Sequence, residues 1–347
     1  MKDQLLLFKF GALKKQFDLE FSKHWHNFIQ ECDKNMSKAK QLNIGNHTRP
    51  FLVYLGATTN LEFDNSNVMK ETAQLAISIE AIHKASVIID DIIDGDSLRR
   101  GEKCMHFEFG EYETVFFAVC MLSSGIKYIN NILDLKNIKT LHTITIDLLC
   151  DTIYSMCQGA IKELTADIQH QTNLEYIKEI INSETIKLIE NSLYVGFLYS
   201  GSKDEQAGTI IRKIGKKCGY IFQVMNDLEA FCNPKHIFEY KGNMNSDFLR
   251  SRKNIILPYL YNSCNKLDKK ILVELLGGDE LSFQEAKNLF DKYNIKENIL
   301  NDINDVYESI FSNLAKLDSL ISNKLWIDVF EVYLKYSKDK YQSILKV

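Results

Sequence analysis

VMKETAQLAISIEAIHKASVIIDDIIDGDSLRRG, residues 68–101, is the stretch from which the rest of the chain is read. In its first part Met69, Ala73, Leu75, Ala76, Ile77, Ile79, Ile82, Ala85, Val87 and Ile88 nearly surround a helix. A helix that is apolar on almost every side is buried on almost every side. Its end has the opposite character, with Asp90, Asp91, Asp94 and Asp96 followed by Arg99 and Arg100. Asp90 and Asp94 stand one helical turn apart, so their carboxylates share a face and repel. Acids gathered at the mouth of an apolar core make physical sense where divalent cations neutralise them. Magnesium suits such a place: it keeps several waters, takes one or two carboxylates and fills its shell with phosphate oxygens. The two arginines could grip the same phosphates from the other side. A plain solvated helix end, capped by Gly95, would call for neither.

Outward from this stretch, apolar residues recur at spacings of three and four, and alternating strand-like runs are scarce. Helices are predicted over about 5–40, 50–60, 114–133, 138–167, 174–200, 206–232, 252–265, 268–276, 282–293 and 297–343. Polar interruptions such as Gly201-Ser202-Lys203-Asp204 and Gly277-Gly278-Asp279 separate them. Three prolines in 347 residues leave no proline-rich linker, and there is no repeat of fixed period or low-complexity tract. The expectation is one all-α domain over residues 1–347, a single large helical bundle around a central cavity.

Composition narrows the function classes. A net charge of −4 with 25% charged residues argues against nucleic acid as a partner, and 45% hydrophobic residues exclude a disordered chain. Six of the 42 basic residues are arginines: Arg49, Arg99, Arg100, Arg212, Arg250 and Arg252. Each matters, because the planar guanidinium binds phosphate in ways lysine cannot copy. The eight cysteines form no CxxC or metal-like pairing and read as reduced thiols. No unbroken apolar run reaches the ~18 residues of a membrane span. Leu5-Leu6-Leu7-Phe8, followed by Lys9, Lys14 and Lys15, is too short and too charged for a signal peptide. The cytoplasm is therefore the expected location. His24-Trp25-His26 reads as the surface of an amphipathic helix, and His142 and His170 as lone structural residues.

DDIIDGDSLRRG, residues 90–101, resembles the first aspartate-rich motif of the trans-isoprenyl diphosphate synthases, also called the polyprenyl synthetase family. Further motifs follow in the family's order. GNHTRP at 45–50 resembles a GKxxRP box, and Glu102 to His106 resembles GxPTxH. Gly159 to Leu164 is similar to GQxxDL, and Tyr176 to Thr185 to a segment ending in Lys-Thr. Phe222 to Asp227 resembles FQxxDD, and Asp247 to Pro258, with Lys253, a later Asp…Gly-Lys…Pro box. The likeness spans about residues 40–260.

The resemblance implies the isoprenoid synthase fold and a Mg²⁺-dependent prenyltransferase, a homodimer in which two aspartate-rich motifs face each other across a cavity. An allylic diphosphate would ionise, the double bond of isopentenyl diphosphate would attack the cation, and a proton would be lost to pyrophosphate. Asp90, Asp91 and Asp94 would be metal ligands, with Asp227 and Asn226 opposite them. Arg99 would contact the allylic diphosphate and complete the catalytic set with those aspartates. Arg49, Arg100 and His106 would hold isopentenyl diphosphate, and Gln223 and Lys253 are further substrate-binding positions. Elementary chemistry agrees: the departing pyrophosphate needs metals and arginines, and the carbocation needs an apolar, closed cavity.

The chain also departs from the pattern. Asn46 stands where the family has a lysine for isopentenyl diphosphate, Ala160 replaces a glutamine, and Glu163 an aspartate. Glu184 reverses the charge of a lysine that contacts the allylic diphosphate, while Asn226 and Ala230 replace the first and last aspartates of the second motif. Three readings stay open: a synthase using isopentenyl diphosphate, the same ionisation with another acceptor or cyclisation, and a non-catalytic partner subunit. If Glu184 faces the phosphates it opposes them, so Glu184→Lys is expected to raise affinity for the allylic diphosphate. Ser86 and Ala85 are small at positions where the family's bulky aromatic residues stop chain growth. The cavity is expected to run past Ala85 toward Ile82 and to hold chains of twenty carbons or more.

Overall fold

The computed structural model describes residues 2–34, 37–43, 45–135, 139–241, 248 and 252–345. Asp247 and Arg250, from the last motif, lie outside them. The helices are α1 (Lys2–Cys32), α2 (Ala39–Asn43), α3 (Thr48–Ala57) and α4 (Ser66–Asp94), then α5 (Met105–Phe109), α6 (Glu111–Leu135) and α7 (Lys139–Leu164). A 3₁₀ turn (Ile168–Thr172) leads into α8 (Leu174–Ile181), a π-helical turn (Asn182–Ile186) and α9 (Lys187–Tyr199). Next come α10 (Glu205–Cys232), α11 (Pro234–Lys241), α12 (Ile256–Ser263), α13 (Lys266–Leu275), α14 (Glu280–Lys292), α15 (Ile295–Leu317) and α16 (Leu325–Leu345). The architecture is the expected all-α one, with one short hairpin added.

Helix α4 sits at the centre, packed by α1, α3 and α6. It starts because the Asn65 side chain accepts hydrogen bonds from the backbone of Asn67 and Val68, and it stops at Gly95, whose φ of 56° is left-handed. Leu75, Ala76, Ile77, Ile79, Ile82 and Ala85 are buried along it. Asp90, Asp91 and Asp94 therefore occupy its last two turns, where the helix dipole is negative and carboxylates are least welcome. Cations must meet them there.

Two glycines bring α3 and α9 together. A Cβ on Gly196 would stand 1.9 Å from the Val53 carbonyl oxygen, and one on Gly56 would stand 2.0 Å from that of Leu193. Along α1, Phe17, Phe21, Trp25 and Phe28 stack one on the next, with centroids 6.2, 5.9 and 5.4 Å apart. Trp25 is thus core rather than helix surface, and His24 turns outward to Glu20 at 3.2 Å.

Several boundaries differ from the periodic pattern. The hairpin, β1 (Leu98–Arg99) against β2 (Glu102–Lys103), turns through Arg100 and Gly101, both with positive φ. Two strands of two residues are too short for alternation to register. The stretch 297–343 is two helices, because 318–324 leaves the helix to dock on the end of α3. Asn323 donates to the carbonyls of Thr58 and Leu61, and Trp326 Nε1 donates to Leu55 O at 2.6 Å. Helix α12 begins at Ile256 rather than 252, because the N–H groups of Lys253 and Ile255 are taken by side chains of Glu163 and Asp227.

Taken whole, Glu111–Leu133 is long and apolar enough to cross a bilayer, which a search for unbroken apolar runs does not register because Ser123, Ser124, Gly125 and Lys127 interrupt it. Its inner face, with Ala118, Met121, Ile129 and Leu133, is sealed into the core against α4.

Candidate active site

Helices α3, α4, α7 and α10, the hairpin, the π turn and α16 enclose a cavity of about 1000 Å³. Asp90, Asp91 and Asp94 form one rim. Asp91 is buried and accepts a hydrogen bond from Arg99 Nε at 2.7 Å, and Arg99 Nη2 lies 3.6 Å from Asp96. Asp94 Oδ1 lies 3.2 Å from Nε of Arg252, which stands beside Lys253 in the last motif. Asp90 faces the opening. It is the exposed one of the three, with Lys253 and Arg99 on one side of it and Glu163 and Asp91 on the other. Two aspartates of this rim are thus already met by arginines, while Asp90 and Asp94 share one helical face.

The second motif is built differently. Asp227 is buried, its Oδ1 accepting from Gln223 Nε2 at 2.7 Å and its Oδ2 from the Ile255 N–H at 2.8 Å. Thr185 Oγ1 donates to Gln223 Oε1 at 2.8 Å, so Gln223 and Asp227 tie α10 to the π turn and to the start of α12. Asn226 is exposed at the cavity, and Ala230 offers no donor. Among the described residues, no three His, Cys, Asp or Glu side chains converge on one metal position. Asp227 nevertheless lines the same cavity as Asp90, Asp91 and Asp94.

The third wall corrects the reading of Glu184. Its carboxylate pairs with Lys253 Nζ, which also lies 3.3 Å from Glu163. Gly159 makes room, since a Cβ there would stand 2.7 Å from Glu184 Cγ. The π turn widens the helix at this point, a common device near functional sites. Burial, with Glu163 and Asp90 alongside, pushes Glu184 up to about 7 against the pull of Lys253. Burial disfavours the Lys253 charge, but Glu184, Glu163 and Asp90 overcome it and hold the ammonium well above the usual lysine range. A lysine at 184 would face Lys253, so Glu184→Lys is expected to destabilise the wall rather than improve diphosphate binding.

Glu184 also predicts a pH dependence. Between the ordinary 4.5 and about 7 the folded protein keeps a proton that the unfolded chain has released. The stability that this group contributes is present at low pH and is lost as pH rises through that window. Glu184→Gln should flatten this part of the curve, read from urea midpoints between about pH 5 and 7. Equal slopes in the two proteins would mean that Glu184 is not held as described.

A basic cluster occupies the opposite side. Arg49, 9% exposed near the start of α3, lies over the Phe222 ring and 3.1 Å from His83 Nε2. Burial lowers its pKa to about 10 while Glu80 opposes the shift. Arg100, at the hairpin tip with φ 58°, lays its guanidinium over Gly45. His106 is buried within α5 against Phe107 and is not part of the cavity wall, because the short helix turns it into the protein body. Ser86 lines the cavity, but Ala85 and Ile82 are sealed in packing and do not. The expected route past Ala85 toward Ile82 is therefore replaced by a wall of Ser86, Val87, Met156, Cys157 and Ala160. Glu80, His83 and Lys84 also reach the cavity. Their signal was legible: a Glu and a Lys four apart inside a helix otherwise apolar on most sides.

Residues 33–293 match the model of the polyprenyl synthetase family. The chain belongs to that family. Over 291 residues it is 24% identical to the short chain isoprenyl diphosphate synthase of Methanocaldococcus jannaschii, covering 82% of this chain and 85% of that protein. It is 29% identical over 189 residues to the farnesyl diphosphate synthase of Escherichia coli, covering 53% of this chain and 61% of that one. The fold matches a polyprenyl synthase from Caulobacter crescentus complexed with calcium and isoprenyl diphosphate, at a TM-score of 0.78 and 18% identity over 94% of this chain and 95% of that one. It also matches the geranylgeranyl pyrophosphate synthetase of Pyrococcus horikoshii, at a TM-score of 0.75 and 18% identity over 100% of both chains. This member of the polyprenyl synthetase family is a prenyltransferase with the isoprenoid synthase fold.

Proposed function

We propose that this prenyltransferase condenses an allylic diphosphate with isopentenyl diphosphate in a magnesium-dependent reaction. The observation that carries the choice is the presence of two oppositely charged places on one cavity. The acid rim of Asp90 and Asp94 suits a diphosphate that arrives with metal, and the buried basic cluster of Arg49 and Arg100 suits a second diphosphate. Cyclisation needs only the first. An acceptor carrying its own diphosphate needs both.

Hard carboxylate oxygens at Asp90 and Asp94 fit magnesium, which would neutralise the departing pyrophosphate when bound. Asn226 could add a neutral oxygen, while Asp227 is occupied in holding Ile255 and Gln223. Arg99, fixed by Asp91 and Asp96, presents a rigid guanidinium to the allylic diphosphate. Arg49, pinned over Phe222 beside His83, and Arg100, held by the hairpin, orient the acceptor. Phe222, Ile189 and Met156 keep the reacting carbons from water. With the descent past Ala85 closed, the cavity volume of about 1000 Å³ is what supports a product of twenty carbons or more.

The exposed apolar side chains Tyr112, Phe116 and Val119 of α6 and Tyr154 and Ile161 of α7 support a homodimer, since such a face is costly to leave in water. Sedimentation should therefore give about twice the 40.1 kDa chain mass. We treat the 347-residue chain as one body and place it in the cytoplasm, its eight cysteines being free thiols.

The test is incubation of the purified full chain and Mg²⁺ with labelled allylic diphosphate, with and without isopentenyl diphosphate. Elongation that depends on isopentenyl diphosphate is expected, with products resolved by chain length. Pyrophosphate release without any acceptor would establish cyclisation or hydrolysis instead, and silence in both arms would leave a partner subunit.

A further inference from the structure

Inside the apolar body of α4, Glu80 and Lys84 stand one turn apart, 3% and 7% exposed. The Lys84 ammonium lies 3.9 Å from Glu80 and reaches the cavity. A Cβ placed on Gly45 would stand 3.6 Å from Lys84 Nζ and 2.5 Å from Arg100 Nη1. Two cations therefore converge over the Gly45-Asn46 backbone, beside a residue that carries no charge where the resembling box has a lysine. Lys14 approaches the same loop, but its ammonium is held by Asp18 at 2.5 Å and by the Asn46 carbonyl at 3.2 Å.

The charges of this wall point to an anion. Arg49, Lys84 and Arg100 face Glu80. Burial, with Lys14, Lys84 and Arg100, holds His47 down to about 4, and burial, with Arg49, Lys84 and Arg100, holds His83 well below its usual value, so both imidazoles stay neutral. The burial of Lys84 brings its own pKa down to about 8 despite Glu80. Arg49 Nε and His47 Nε2 are buried with no hydrogen-bond partner among the described residues. Buried polar atoms of this kind normally have partners. A diphosphate would supply both the charge and the acceptors.

We propose that Lys84 is the ammonium that grips the acceptor's diphosphate together with Arg49 and Arg100, in the place vacated by a lysine at position 46. The inference rests on the reading that the acceptor carries a diphosphate. Approach from a helix, rather than from a loop, fixes the ammonium within a rigid element, so the cation is positioned before the ligand arrives. If Lys84 served only to neutralise Glu80, its loss would lower stability and leave ligand affinity alone.

The experiment titrates isopentenyl diphosphate calorimetrically into the full chain without magnesium, so that the acid rim repels the ligand and the basic wall dominates. Lys84→Met should weaken binding by roughly ten- to a hundredfold, the loss expected of one charge-assisted hydrogen bond. In turnover assays its KM for isopentenyl diphosphate should rise while that for the allylic diphosphate stays within about twofold. Asn46→Lys added to Lys84→Met should restore most of the affinity. Urea midpoints verify folding, and Lys84→Gln serves in its place should the methionine variant fail to fold. Unchanged affinity in the folded variant, alongside a loss in Arg100→Ala, would overturn the role of Lys84 and leave the acceptor reading standing. A wild-type protein that takes up no isopentenyl diphosphate would overturn that reading, and the role of Lys84 with it.

Discussion

Asp90→Ala is expected to lower turnover by about two to three orders of magnitude, the usual scale for removing one group that stabilises developing charge. The fold should not suffer. Asp90 is exposed at the negative end of α4, so its removal takes away a charge that the helix dipole opposes. An unchanged or slightly raised urea midpoint should therefore accompany the collapse in kcat. Asp94 is the poorer probe, since its loss would also strip Arg252 of a partner at 3.2 Å. Steady-state kinetics at saturating Mg²⁺ checks the effect. A variant keeping most of its activity would show that the rim of α4 does not serve the leaving group.

Gly196→Ala should be the most damaging single methyl in the protein. Its Cβ would lie 1.9 Å from the Val53 carbonyl oxygen and 2.8 Å from the Ala57 nitrogen, distances that no side-chain rotation can relieve because both atoms are backbone. Helices α3 and α9 would have to part. Overpacking of this kind costs typically 1–3 kcal/mol and occasionally more, and here we expect roughly 3 kcal/mol or above. The disturbance travels, because α3 carries Arg49 near its start and Leu55, which accepts the Trp326 indole hydrogen bond, near its end. Urea unfolding should show the loss, with weakened isopentenyl diphosphate binding beside it. A midpoint within experimental error of wild type would mean that the two helices do not meet at these glycines.

How much of this was legible depends on the range over which each signal acts. Apolar periodicity and a glycine stop are local properties, and they alone placed α4, its acids and the arginines beyond it. The order of motifs along the chain was equally local and led to the family. Interruptions with a tertiary cause were not readable: 318–324 leaves its helix because Asn323 and Trp326 find partners at the far end of α3, about 270 residues away in sequence.

The same distinction runs through the site. Sequence by itself determined which residue types stand at the motif positions, and therefore that Asn46, Glu184, Asn226 and Ala230 are departures. It could not determine what those departures mean, because each depends on a partner brought near by folding. Glu184 looked like a charge opposed to phosphate until the π turn set it against Lys253, and Glu163 reached the same lysine across a separation of 90 residues. Asp227 was legible as an acid facing the cavity, but the hydrogen bond that one of its oxygens accepts from the Ile255 backbone was not. For Lys84, the helix period gives a charge within an apolar helix, and only the hairpin brings Arg100 near it over Gly45. A helix period fixes which side of the chain a residue faces, but only packing decides which charge waits on that side, and the energy of a buried charge is set almost wholly by that neighbour.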